Sequence, residues 1–207
     1  PLADFARKIG GDKVTIINST PAGAEPHDFE PTPQDLVAIR RARVFLYNGV
    51  GLEPWVDKVL PDLRAAGTII VKSSEGISLR KPDSADEEGT AFDPHFWLDP
   101  MLAQKIVDNI AQGLQKADPG NATYYQANAA AVKAQLSDLD HQFRQVLAHC
   151  ARRDILTSHQ AFGYLAARYG LNAVSISGLS PDEEPTPQKL AGIAAFARQH
   201  QIKYIFF

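Results

Sequence analysis

The 207-residue chain is 44% hydrophobic and 22% charged, with a formal net charge of −3. That composition excludes a disordered or fibrous chain and supplies core for one large or two small domains. No basic stripe is visible, which argues against nucleic acid as a partner, and no apolar run approaches the roughly 18 residues of a membrane span.

The single cysteine, Cys150, excludes an internal disulfide and a Cys-rich zinc site; it reads as a partly buried helix-end thiol. The chain opens at Pro1 without Met or signal peptide and stops in the apolar run Lys203-Tyr204-Ile205-Phe206-Phe207. The expectation is a piece of a longer protein, with any targeting segment outside it.

In chain order, residues 3–9 read as a short helix closed by Gly10-Gly11. Residues 14–17 (Val-Thr-Ile-Ile) are a β-branched strand. A Pro-rich loop over residues 19–33 carries Pro26-His27-Asp28-Phe29-Glu30-Pro31. Thr32 then caps a helix that has Pro33 in its first turn, with Leu36, Val37 and Ile39 on one side. Residues 44–47 form a strand, 54–63 a helix and 68–71 a strand. Residues 72–90 are polar and acidic and read as a mobile surface loop.

Asp93-Pro94-His95-Phe96-Trp97-Leu98-Asp99-Pro100 follows. Residues 101–117 are an amphipathic helix, broken at Asp118-Pro119-Gly120. Residues 122–148 run without Gly or Pro, with Val132, Leu136, Leu139, Phe143 and Leu147 at helical spacing. At about 1.5 Å per residue this helix spans roughly 40 Å, a length suited to a strut between two lobes. Strand 155–157 leads into Ser158-His159. A helix over 161–169, a strand at 174–176, a helix over 188–199 and the terminal strand complete the chain.

Strands alternate with helices and no hairpin signal occurs, which predicts parallel α/β sheets. Glu30-Pro31-Thr32-Pro33-Gln34-Asp35-Leu36 recurs as Glu184-Pro185-Thr186-Pro187-Gln188-Lys189-Leu190. Each copy precedes a helix and a strand, so a duplicated α/β lobe is expected. The expected organisation is an N-terminal lobe over 1–118, an interlobe helix over 119–149 and the first part of a C-terminal lobe over 150–207.

His95 sits between two prolines that restrict the backbone. Aromatic residues adjoin it, and Asp93 or Asp99 can accept a hydrogen bond from the ring nitrogen that is not otherwise engaged and fix the tautomer. That is the build of a metal-ligating histidine on a stiff loop. His27, His95 and His159 each follow a predicted strand, and ligands of open parallel sheets bind off the carboxyl ends of strands. Taken singly, each histidine can serve only its own loop; together they predict a metal site. His27 and His95 fall in the first predicted lobe and His159 in the second. His141, His149 and His200 lie on polar helix stretches and read as solvated.

Pro26–Pro31, Asp93–Pro100 and Ser158-His159-Gln160-Ala161-Phe162-Gly163-Tyr164-Leu165 resemble, in order and spacing, the metal-site motifs of the zinc/manganese solute-binding proteins of bacterial ABC transporters. These are the TroA-like metal receptors, and the likeness is to their zinc-uptake branch over nearly the whole chain. The resemblance implies two small α/β lobes joined by one long rigid helix, with a metal ion between them. His27, His95 and His159 would hold that ion with a carboxylate or water.

It further implies a periplasmic or lipid-anchored receptor that hands its ion to a membrane ABC permease, without itself entering the membrane. The full-length protein would be a monomer, while an isolated fragment with exposed sheet edges can pair. Three departures stand out. The family's first strand would precede Pro1, and its acidic fourth ligand and the rest of the second lobe would follow Phe207. The His-rich loop of many zinc members has its place at residues 72–90, which contain no histidine.

Three neutral imidazoles favour Zn²⁺ over Mn²⁺, which prefers carboxylate and water oxygen. The glutamate often found at the position of His159 in manganese receptors points the same way. A manganese or dual receptor is the alternative. A zinc hydrolase would need a general base such as Glu25, Asp28 or Glu30, and no His-Glu-x-x-His run is present. Neither Gly-rich nucleotide motif occurs.

Overall fold

The computed structural model describes residues 1–21, 23–82 and 92–207. Residues 83–91, which include the second part of the expected 72–90 loop, lie outside the described residues. The chain forms two compact units, residues 1–77 with 100–138 and residues 78–99 with 139–207.

In the first unit, α1 (Leu2–Gly10) buries Phe5, Ala6 and Ile9 and packs on α4 (Pro100–Ala117). α4 follows the expected amphipathic spacing, with Ile106, Val107, Ile110 and Leu114 buried. Its Gly113 permits close packing on the sheet, since a Cβ there would lie 2.3 Å from Val71 Cγ2. α2 (Pro33–Arg41) is capped as read: Thr32 Oγ1 accepts from the Asp35 N–H, and the Asp35 carboxylate accepts from the Thr32 N–H. That reciprocal capping box satisfies two donors that the helix end cannot pair. Ile39 is buried and Leu36 packs beside it, but Val37 is 49% exposed. Consecutive helical residues point about 100° apart, so Val37 cannot share that face.

The strands β1 (Val44–Tyr47) and β2 (Ile69–Lys72) pair in parallel, Val44 opposite Ile69 and Tyr47 opposite Lys72. α3 (Val56–Ala65) closes over them. Phe45, Trp55, Val56, Leu60 and Leu63 form the core with Ile39, and Phe29 meets Trp55 edge-on at 6.2 Å.

The strand expected over 14–17 is not formed, although Val14 is extended at φ −137° and ψ 149°. β-branched residues favour extended backbone, but a strand also needs a ladder partner. Among the described residues β1 and β2 pair only with each other, and Ile17 is 70% exposed.

The second unit holds a parallel sheet of order β4-β3-β5, with β3 (Asp154–Thr157) central between β4 (Asn172–Ser175) and β5 (Ile205–Phe206). α6 (Gly163–Tyr169) ends at Gly170, whose φ of 66° supplies the left-handed turn that leads into β4. α7 (Pro187–Gln199) starts on Thr186, the repeat counterpart of Thr32. Lys189 stands where Asp35 stands in the first copy, so Thr186 accepts from the Lys189 N–H without a reciprocal carboxylate. β5 is exposed rather than buried as its composition suggested.

α5 covers Ala122–Ala148 as read. Residues 122–138 belong to the first unit and 139–148 to the second. Cys150, just beyond it, is exposed, its thiol 3.0 Å from the Arg152 carbonyl oxygen. His141 and His149 are exposed as expected. His200 is not simply solvated: it stacks on Phe196 at 4.2 Å, and its Nδ1 lies 2.7 Å from Asp154 Oδ2.

Candidate metal centre

The segment 78–99, which chain order assigns to the first lobe, belongs to the second unit. Side-chain bonds to α6 explain why. Tyr164 donates its phenolic proton to the Asp93 carbonyl oxygen at 2.8 Å and accepts the Arg80 N–H at 2.9 Å. Arg168, one turn later, binds the Asp99 carboxylate. His95 is therefore in the same unit as His159.

Between those anchors the motif is stiff and dry. Asp93, His95, Phe96 and Asp99 are all buried, and Phe96–Leu98 form a 3₁₀ turn. Asp93 Oδ1 lies 2.9 Å from both the His95 backbone nitrogen and its Nδ1. A carboxylate only accepts, so Nδ1 carries a proton, and in the neutral ring Nε2 is the nitrogen that keeps a lone pair. The Trp97 ring lies 5.2 Å from the imidazole, and Phe96 meets Tyr164 edge-on at 6.5 Å. Gly163 makes room for the carboxylate, since a Cβ there would stand 3.0 Å from Asp93 Oδ2.

His159 sits two residues past β3, at the carboxyl end of a parallel strand. Thr157 Oγ1 donates to the His159 carbonyl at 2.9 Å, and Ser158 Oγ lies 3.3 Å from His159 Nδ1. The His95 and His159 rings approach to 5.3 Å at 65°. Burial holds the His159 ring below the usual imidazole range; the neighbouring His95 adds to this and Asp93 opposes it. A ring kept neutral is in the state a metal ligand requires.

His27 lies in the first unit, in the turn after Glu25. Its side chain is 14% exposed, with Nε2 3.9 Å from Glu25 Oε1. It does not follow a strand, because 14–17 forms none. Among the described residues no group of three or more His, Cys, Asp or Glu side chains forms a ready-made metal cage. The second unit does bring His95 and His159 together. Sequence reasoning assigned no part to Gly163, Tyr164 or Arg168; the i, i+4 spacing of Tyr164 and Arg168, which puts them on one helical face, was the available signal.

The first unit has a separate polar cluster off β1 and β2. The Glu53 carboxylate accepts the Asn48 and Gly49 N–H groups at 2.8 and 3.0 Å, although burial pushes its pKa up. It holds a turn in which Gly49, Val50 and Gly51 all have positive φ, a strained conformation for β-branched Val50.

The second unit thus sets two imidazoles side by side, that of His159 off the carboxyl end of a parallel strand. The chain belongs to the family described as ZnuA, zinc-uptake complex component A periplasmic, which matches residues 1–207. It is 38% identical to the high-affinity zinc uptake system protein ZnuA of Bacillus subtilis, covering 100% of this chain and 68% of that protein. It is 35% identical to the zinc-binding protein AdcA of Streptococcus pyogenes serotype M1, where it covers 100% of this chain but 44% of the relative. Among solved structures, the Zn(II)-bound E280Q variant of Streptococcus pneumoniae AdcAII matches with a TM-score of 0.88 at 32% identity, over 98% of this chain and 76% of that one. The metal-dependent lipoprotein YcdH of Bacillus subtilis matches with a TM-score of 0.84 at 40% identity, over 99% and 74%. The chain thus spans between about half and three quarters of these relatives.

Proposed function

We propose that this chain is the greater part of an extracytoplasmic receptor that captures Zn²⁺ and delivers it to an ABC permease. The observation that carries the reading is the His95–His159 pair, with Asp93 holding the His95 Nδ1 side of the ring. His27 supplies the third imidazole, and a carboxylate or water completes the shell. Neutral nitrogen donors suit Zn²⁺ better than Mn²⁺. The zinc-binding names and Zn(II)-bound structures of relatives agree with that cargo.

The protein is a receptor and not an enzyme, and the three histidines bind cargo rather than activate water. It works outside the cytoplasmic membrane, free in a periplasm or lipid-anchored. Among the described residues no helix is long and apolar enough to cross a membrane. Residues 1–118 without the 78–99 segment, and the part from 150 onward with it, serve as the two lobes; α5 within 119–149 joins them as a strut, and the full-length receptor acts as a monomer.

Calorimetric zinc titration of metal-stripped full-length protein tests the assignment. His95→Ala and His159→Ala should each weaken zinc binding sharply. Parental affinity in either variant would remove that residue from the shell.

A further inference from the structure

We propose that Tyr164 and Arg168 are positioning residues that set the His95 tautomer and pose from α6. The inference rests on the receptor reading for its metal consequence, but its geometry stands apart from any ion. The two side chains lie on one face of α6 and grip the His95 loop on either side of the histidine. Upstream, the Tyr164 phenol bonds Asp93 O and Arg80 N, joining two segments already bridged by the Asp93 N–H to Arg80 carbonyl bond of 2.9 Å. Downstream, Arg168 binds the buried Asp99 carboxylate.

Tyr164 is itself 3% exposed, packed edge-on against Phe96 with the Arg80 guanidinium 5.9 Å from its ring centre. A buried phenol whose donor and acceptor functions are both engaged has one low-energy pose. It therefore fixes the Asp93 backbone, and the Asp93 carboxylate fixes His95 Nδ1–H. α6 begins four residues after His159, so one short helix ties both histidines into one body.

Tyr164 acts on His95 through Asp93 and Arg168 acts on the loop through Asp99, and loss of such an outer partner usually weakens metal binding about 10–100-fold. The test uses Tyr164→Phe, Arg168→Gln and Arg168→Lys in the full-length protein. Imidazole ¹H–¹⁵N correlation spectra of metal-free protein give the His95 tautomer, and zinc titration gives affinity.

The expected result is a single Nδ1–H tautomer in the parent and a mixture in Tyr164→Phe and Arg168→Gln. Both should lose about 10–100-fold in zinc affinity, while Arg168→Lys, which keeps the charge, should recover part of the loss. An unchanged tautomer with parental affinity in Tyr164→Phe and Arg168→Gln would overturn the proposal. Failure of both to fold would also overturn it, in favour of a purely structural role. If the parent itself does not bind zinc, the receptor reading fails while the tautomer spectra still decide this one.

Discussion

Gly163→Ala separates folding from metal capture. The new Cβ would stand 3.0 Å from Asp93 Oδ2, closer than the unstrained contact of about 3.5 Å, so that oxygen must give by a few tenths of an ångström. The carboxylate's bond to His95 Nδ1 starts at 2.9 Å. That bond is made by the other oxygen, Oδ1, and a shift or rotation of the carboxylate that relieves Oδ2 lengthens or misaligns it. The contact that fixes the His95 tautomer is thereby weakened. The expected loss in zinc affinity is about 10–100-fold, or roughly 1.4–2.7 kcal/mol.

Folding should respond differently. Alanine restricts the unfolded chain, which stabilises by about 0.4–1 kcal/mol and offsets part of the local strain. Competition titration against a chelator reads the affinity, and a urea melt reads the stability. A variant with zinc affinity within about twofold of the parent would refute the reasoning that Asp93 needs that space.

Three further outcomes follow from the packing and protonation of the two units. Phe96→Ala, at a fully buried ring against Tyr164, should cost about 3–5 kcal/mol in a denaturant melt. Thr32→Ala breaks a capping box and Thr186→Ala only a single cap bond; calorimetric melts should show the larger loss, about 1 kcal/mol, at Thr32. His159 has a folded-state pKa below its unfolded value, so the unfolded chain takes up the proton first. The stability this ring contributes is complete above the ordinary imidazole pKa of about 6.5 and is lost as pH falls from there toward the folded value. Zinc should leave over the same range, and affinity unchanged from about pH 7.5 to about pH 5 would argue against imidazole ligands.

Much of this architecture is legible in residue spacing. α5 begins and ends where its uninterrupted run does, and α2 starts on the Thr-Pro pair that caps it. What spacing cannot supply is the partner. Residues 14–17 have strand composition but no ladder, and Val37 lies one residue off the buried face of α2.

The same limit applies at the candidate site. Asp93, His95 and His159 announce themselves through proline-bounded and strand-end motifs. The packing of the His95 loop against α6 is a tertiary fact carried by Tyr164, Arg168 and the missing side chain of Gly163. Chain order therefore placed His95 with the first lobe, whereas its contacts place it beside His159.

Zinc titration of metal-stripped full-length protein, repeated against manganese as competitor, tests the central claim most directly. The account predicts tight binding of one zinc ion per chain that manganese does not displace, because the donors are neutral imidazoles. Equal binding of the two ions, or no zinc binding at all, would contradict a zinc receptor built on His27, His95 and His159.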